Sequence, residues 1–531
     1  MTGTRPRAPE RVLPERVPGL NALAAGLSSG APDVARFLPD PPTLAAVSAR
    51  ATHVRERFRL APRPGAAPEH ADLADGRAVA VVAGQQVGAL TGPLLTLVKA
   101  AAAIGLARDL SRDVPAAPLF WCAGEDHDLV EVSRLPLPSP GGPRDAGPDA
   151  GPLLGNRKPV GALPVGVDLE FAAQLLGEGA GAPECPLDVE TLLALSRGRS
   201  YHEAFVASMR WLLPDPQLRF TDAARREDKP ALVPLAVRLV RERQAVRRLL
   251  EERAEALVAA GHRLQVTTEP RALPLFAILG GERLLLREEG GRLALKGGPE
   301  GETFDPEEVV ARFESGEWLP SFSALTRPLA ASVLFPVAAA ILGPAEIAYW
   351  AQSHPLFGWA GILPPVLLPR PMAAFVDPTS ASLLDRSGLT LEALLQGREE
   401  VLRSHGSGRA GGILSALERL RADNARELDA LREPLLEVDP TLARPLQATR
   451  QNLDFALSKL LEKASAAAGR ADETFARQVD RLLLSLLPGG QLAERVYGPL
   501  PYLARYGREG LVGALLSQLD WSLPGVQEVR L

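Results

Sequence analysis

Val79-Ala80-Val81-Val82-Ala83-Gly84-Gln85-Gln86-Val87-Gly88-Ala89-Leu90-Thr91-Gly92-Pro93-Leu94-Leu95-Thr96-Leu97-Val98-Lys99 is the stretch that decides the fold class. It opens as a short apolar run over Val79–Ala83, the mark of a strand buried on both faces. Three glycines follow, with the side-chain amides of Gln85 and Gln86 and the hydroxyl of Thr91 between them. Pro93 then starts a helix, because a missing N–H costs nothing at a first helical position. Leu94, Leu97, Val98, Ala101 and Ile104 recur at helical spacing, so a helix over Pro93–Asp109 packs one face on a sheet. Strand, glycine loop and helix N-terminus form a geometry that binds anions through free N–H groups and the positive end of the helix dipole. The spacing matches neither the dinucleotide fingerprint nor the P-loop, and a tight strand-to-helix turn accounts for the same glycines. The amides and Thr91 exceed what a turn requires, which favours a binding site at Gly84, Gln85, Gln86, Gly88, Thr91 and Gly92. Lys99, one of only six lysines, reads either as a solvated helix residue or as part of that site.

A second strand, Ala117–Ala123, completes a βαβ unit and runs into Gly124-Glu125-Asp126-His127-Asp128. Ligands of parallel α/β sheets sit beyond the carboxyl ends of the strands. The amide-rich turn and this acid–imidazole quartet are therefore expected to face one shared cavity. Three carboxylates around one imidazole can hold Mg²⁺ for a nucleotide, orient a general base or bind an amine. A solvated acidic turn is the plainer account of the same four residues. No zinc-type site is expected, since His127 has no second histidine three or four residues away. Cys122 lies inside the apolar strand, where a thiol is inert core.

A third cluster joins Thr326-Arg327-Pro328 to Gly343-Pro344-Ala345-Glu346-Ile347-Ala348-Tyr349-Trp350. Gly343-Pro344 opens a helix as Gly92-Pro93 does, with Glu346 favourably placed in its first turn. Tyr349 and Trp350 follow Glu346 at i+3 and i+4, and an acid beside two aromatics suits an amine or a sugar, although packed core explains the aromatics equally. Arg327 and Arg370 are candidates for carboxylates or phosphates.

The whole chain bounds these readings. Its 531 residues exceed one ordinary core, and 46% hydrophobic with 23% charged residues describe a soluble globular protein. A net charge of −5 speaks against nucleic-acid binding. Two cysteines without a CxxC fit a reducing cytoplasm. Met1–Leu20 lacks the apolar segment of a signal peptide. Pro328–Ala345 carries no charge over 18 residues, but Pro336 and Pro344 interrupt it, so a buried strand-turn-helix is expected and no membrane span.

Between these clusters, Pro136–Gly155 reads as a surface loop, Leu192–Leu213 as a helix, Leu218–Asp222 as a sheet strand and Pro230–Ala260 as one long charged helix. Arg263–Val266, Phe276–Leu279 and Arg283–Arg287 read as short strands, the last two joined at Gly280-Gly281. After about Ser380 leucine replaces glycine and proline. Leu414, Leu417, Arg421, Asn424, Leu428, Leu431 and Leu435, then Leu442, Leu446, Thr449, Leu453, Ala456 and Leu460, alternate three and four apart on either side of Asp439-Pro440. Phe475, Val479, Leu482 and Leu486 begin a third run. This is a coiled-coil seam, an antiparallel helical hairpin of the kind that joins subunits, so a homodimer is expected. The domains expected are 1–380 as an α/β core with insertions at about 136–200 and 225–320, 381–490 as the helical arm, and 491–531 returning to the core.

Taken together, these residues resemble the bacillithiol synthase (BshC) family, to which the cysteine-adding step of bacillithiol synthesis is assigned. The resemblance is carried by Gly84-Gln85-Gln86 through Gly92-Pro93-Leu94 with Lys99, by Glu125-Asp126-His127-Asp128, by Thr326-Arg327-Pro328, by Gly343-Pro344 to Trp350, by Pro369-Arg370 and by Glu494-Arg495-Val496-Tyr497 with Pro499-Leu500 and Tyr506-Gly507. It implies a Rossmann-like core resembling class I nucleotidyltransferases, connecting-peptide insertions and a dimerising coiled coil. It also implies a reaction joining cysteine to the amine of glucosaminyl malate, with ATP and Mg²⁺ as the candidate activator and Arg495, Tyr497 and Tyr506 as candidates for a second nucleotide site. The chain departs from the family in Thr91-Gly92-Pro93, where Gly-Gly-Pro is frequent, in Ala345, where glycine is usual, and in lacking a His-x-Gly-His signature. On this basis the loop and Lys99 hold a phosphate or acyl-phosphate, Glu125, Asp126 and Asp128 position the amine, and His127 or a carboxylate takes its proton. A nucleotidyltransferase acting on another metabolite and a non-catalytic nucleotide-binding scaffold are the rival functions.

Overall fold

The structure is a computed structural model and describes residues 9–531 apart from 64, 150, 181–182, 268, 300, 410 and 471–472. The part of the Met1–Leu20 expectation that concerns residues 1–8 lies outside them. The chain forms two compact units, Arg11–Phe375 with Leu492–Leu531, and Met1–Glu10 with Val376–Gln491.

The first unit is built on five parallel strands. In chain order these are β1 (Val79–Gln85), β2 (Ala116–Cys122), β3 (Arg219–Asp222), β4 (Val337–Leu342) and β5 (Val366–Pro369), lying side by side as β5-β4-β1-β2-β3. Alternation along β1 sends Val79, Val81 and Ala83 into one core and Ala80 and Val82 into the other, so the sheet is covered on both faces. From β1 the chain winds toward β2 and β3 on one side, and later strands add on the other. The order therefore reverses between β1 and β4, and a crevice opens beyond their carboxyl ends.

Beside this sheet stands a four-stranded antiparallel one, formed by Leu319–Phe322, Ala272–Leu279, Glu282–Glu289 and Arg292–Lys296 in that order. Gly280 and Gly281, at φ 57° and 82°, make the two-residue turn between its central strands, a conformation only glycine takes readily. The last strand of the chain, Val526–Arg530, lies between Arg11–Val12 and Met372–Val376.

Several local expectations are corrected. The helix after the glycine loop spans Leu95–Leu110 rather than starting at Pro93, because the Leu94 N–H donates to the Tyr497 carbonyl (2.8 Å) and a 3₁₀ turn, Ala89–Thr91, precedes it. Leu192–Leu213 is divided: one helix ends at Ala194, and Ser200 and Glu203 form a capping box that starts the next at Tyr201. The long helix expected over Pro230–Ala260 breaks at Glu242 into Lys229–Arg241 and Arg243–Ala259. No strand forms at Arg263–Val266, where the Gln352 side-chain oxygen accepts from the Gln265 and Val266 N–H groups (2.9 and 3.0 Å) and replaces a sheet partner. The uncharged run at 328–345 is helix, strand and helix: Arg327–Leu334, Val337–Leu342 and Pro344–Ser353. Among the described residues no helix is long and apolar enough to cross a membrane.

The second unit is helical. Gly411–Ala430 and Ala443–Arg470 run antiparallel, since Arg421 pairs with Asp454 (2.5 Å) while Asp429, further along, pairs with Arg450 (2.9 Å). Glu473–Leu486 buries Phe475, Val479, Leu482 and Leu486 along one stripe.

Candidate active site

A cavity of about 420 Å³ occupies the crevice between β1 and β4. Its floor is the end of β1 (Val82–Gln86) and its far wall is the turn from β4 into the helix Pro344–Ser353. Lys99, Trp121, Asp126, Glu131, Arg327, Glu346, Tyr349, Trp350, Arg370 and Arg495 also line it, among smaller apolar residues. The expected meeting of the two strand ends thus occurs, through Gly84, Gln85 and Gln86 from β1 and Asp126 from the turn after β2. Gln86 Nε2 donates to Asp126 Oδ2 at 2.8 Å.

The rest of the glycine loop does not face the cavity. Gly88, Thr91 and Gly92 are absent from its lining, and Thr91 is completely buried. Leu90, Thr91 and Gly92 all have positive φ (50°, 77° and 66°), which turns the chain sharply into the core. The neighbouring Leu94 N–H is taken by Tyr497. The loop is therefore a packed turn and does not fit a phosphate cradle. The N-terminus of Pro344–Ser353 opens on the same cavity, with Lys99, Glu346, Arg370 and Arg495 around it.

Lys99 is buried, not solvated. Its ammonium donates to Gly84 O (2.8 Å) and Gln85 Oε1 (2.9 Å) and pairs with Glu346 Oε2 (2.6 Å), so all three N–H groups are used. Burial lowers its pKa, and Glu346 opposes that. Glu346 also accepts from the Gly343 N–H at 2.6 Å, which ties the helix start to the ammonium. Arg370 and Glu494 form a wholly buried pair (2.8 Å), and Arg370 Nη2 has no hydrogen-bond partner among the described residues.

The Glu125–Asp128 quartet is split. Glu125 turns away into the interior, paired with Lys229 and accepting from Ser321 Oγ (3.0 Å). Asp128 caps the short helix Leu129–Ser133 by accepting from the Glu131 N–H at 3.0 Å. His127 and Asp128 line a different, outer cavity of about 650 Å³, with Phe276, Arg157 and Arg283. Only Asp126 reaches the main cavity. Burial would raise its pKa, but Arg327 (3.3 Å) and Arg283 (3.4 Å) hold its carboxyl well below the usual carboxylate range. Consecutive side chains in an extended turn leave in different directions, which is why four adjacent residues serve three environments.

Of the remaining candidates, Tyr349 and Trp350 line the cavity beside Glu346, with burial raising the Tyr349 phenol. Arg495 lines it too, whereas Tyr497 and Tyr506 do not, so this cavity does not unite the three. Burial pushes the Cys122 thiol up, as expected of an inert core cysteine. Two residues passed over in the sequence also belong here. Glu131 stands at the cavity edge with its pKa raised by burial and by Asp128 and Asp126. Arg283 enters from the second sheet, and nothing in its sequence context separates it from Arg287 on the same strand.

The carboxylates can hold an ammonium group while the cations hold an acid, the two ends of an amide-forming pair of substrates. Residues 55–371 match the family described as "Bacillithiol biosynthesis BshC, N-terminal Rossmann-like domain", and residues 373–523 match "Bacillithiol biosynthesis BshC, C-terminal coiled-coil domain". The chain belongs to the bacillithiol biosynthesis BshC family. It is 31% identical over 480 residues to a protein of Symbiobacterium thermophilum, covering 83% of this chain and 82% of that one. It is 31% identical over 447 residues to one of Solibacter usitatus (83% and 82%), and 31% over 452 residues to one of Geobacillus kaustophilus (82% and 81%). All three bear the name "Putative cysteine ligase BshC".

Proposed function

We propose that this chain is a ligase that joins the carboxyl of cysteine to the amine of glucosaminyl malate, the last step of bacillithiol synthesis. The observation that carries this is one crevice with Asp126, Glu131 and Glu346 set against Arg327, Arg370 and Arg495. Family membership supplies the cysteine. A free carboxylate is a poor acceptor for an amine, so the acyl group must be activated. ATP with Mg²⁺ is the candidate activator, and its phosphates would be held by Arg370, Arg495 and the N-terminus of Pro344–Ser353. Asp126, fixed as a carboxylate, holds the amine and is too weak a base to deprotonate it. Glu131, whose affinity for a proton is raised, takes the proton as the C–N bond forms and the acyl–oxygen bond to the activating group breaks, that group leaving with the oxygen. Arg327 binds a malyl carboxylate. The helical hairpin joins two copies of the chain.

Purified protein incubated with cysteine and glucosaminyl malate, with and without Mg-ATP, should yield the amide product by mass. No product under either condition, from folded protein, would refute the assignment. Product only with ATP would identify the activator.

A further inference from the structure

Arg283 is nearly inaccessible, at 4% exposure, and lies on a strand of the antiparallel sheet far from the glycine loop in sequence. Each part of its guanidinium has a named partner. Nε donates to Ser321 Oγ (2.9 Å) and Nη2 to the Phe322 carbonyl (3.1 Å). Nη1 reaches Asp126 Oδ1 (3.4 Å) and His127 Nδ1 (3.0 Å), and the group lies 3.6 Å from the centre of the Phe276 ring. Ser321 is held in turn by Glu125, and Glu125 by Lys229, so a buried polar chain braces the guanidinium from behind.

An arginine has five N–H groups and no acceptor. The nitrogen of His127 that meets it must offer a lone pair, so Nδ1 carries no proton. At neutral pH the single ring proton then sits on Nε2, on the ring that borders the outer cavity. We propose that Arg283 is a positioning residue that fixes Asp126 as a carboxylate and His127 as the neutral, Nε2-protonated imidazole. His127 is thereby a hydrogen-bond donor to whatever occupies the outer cavity, and not the base that takes the amine's proton. This rests on the main cavity being the ligase centre.

The charges around His127 agree with the assignment. Asp126 and Asp128 on its own turn attract a proton, while Arg283 from the facing strand repels one; Arg157, Lys296 and Glu269 border the same cavity, with Lys296 and Glu269 paired to each other. Burial and Arg283 together lower the pKa below its ordinary 6.5. Removing the guanidinium leaves burial alone to oppose the two aspartates.

The test uses the full chain labelled with ¹⁵N-histidine, the His127 signals being assigned by their loss in His127→Gln. The expected spectrum has a protonated Nε2 and a bare Nδ1, titrating below 6.5. In Arg283→Gln the titration should move up toward that value, and in Arg283→Lys, which keeps the charge, it should stay near the wild-type position. A wild-type ring protonated on Nδ1, or titrating at or above 6.5, overturns the proposal, as does an Arg283→Gln protein whose His127 titrates unchanged. If Arg283→Gln does not fold, the wild-type tautomer and Arg283→Lys still decide. No turnover is needed, so absence of amide synthesis would count against the ligase reading while leaving this result standing. For an active enzyme, Arg283→Gln should shift the pH profile of kcat/KM and Arg283→Lys should restore it.

Discussion

Asp126 is the residue on which the two strand ends converge. Its carboxylate accepts from Gln86 and the His127 N–H, and pairs with Arg327 and Arg283. Replacing it with asparagine keeps the shape and removes the charge that holds an ammonium group. Asp126→Asn should therefore lower kcat/KM for glucosaminyl malate roughly ten- to hundredfold, the worth of one charge-assisted hydrogen bond, with cysteine dependence little changed. An Asp126→Asn enzyme with wild-type kcat/KM would remove Asp126 from the site. The identity of these residues was legible in the sequence, since three acids and an imidazole after a buried strand stand out. Their directions were not. Apart from the local cap that Asp128 makes, the contacts that sort them come from residues remote in the chain, such as Lys229 for Glu125 and Arg283 for His127.

At the scale of elements, strand and helix types followed from periodicity where one face or both were buried. Elements failed to match expectation where a side chain substituted for a backbone partner, as Gln352 does for Gln265 and Val266. The hairpin Gly411–Ala430 with Ala443–Arg470 was legible from its three-four spacing, yet the pairing leaves apolar side chains uncovered. Leu420, Leu431, Leu453, Phe455 and Leu460 remain well exposed on it. If these faces join two copies, the chain should sediment as a dimer at micromolar concentration. The double substitution Leu431→Glu with Phe455→Glu should give a monomer of unchanged helix content. A wild-type chain that sediments only as monomer would refute the pairing.

For the whole molecule, burial of charge sets the response to pH. His70, His127 and His354 all have lowered pKa values, with burial the largest cause in each. Below 6.5 the unfolded chain takes up protons that the fold refuses, so stability falls as pH drops under that value. Asp72 and Asp126 act in the other range: their pKa values are depressed, so their contribution is complete above 3.8 and is lost beneath it. The urea midpoint should be flat at mildly alkaline pH and clearly lower at about pH 5.5. A midpoint unchanged between those conditions would show that the histidines are not held neutral. By itself the sequence determined the parallel sheet, the strand ends at which a site could form, and the helical arm, because burial periodicity and the Gly and Pro positions are local. Only the tertiary structure decided that the glycine loop is a packed turn, that the helix start at Gly343–Pro344 opens on the crevice, and that Asp126 alone of its quartet lines it. The last of these depends on Arg283 and Arg327, 157 and 201 residues away from Asp126, and no local pattern encodes which side chain will meet them.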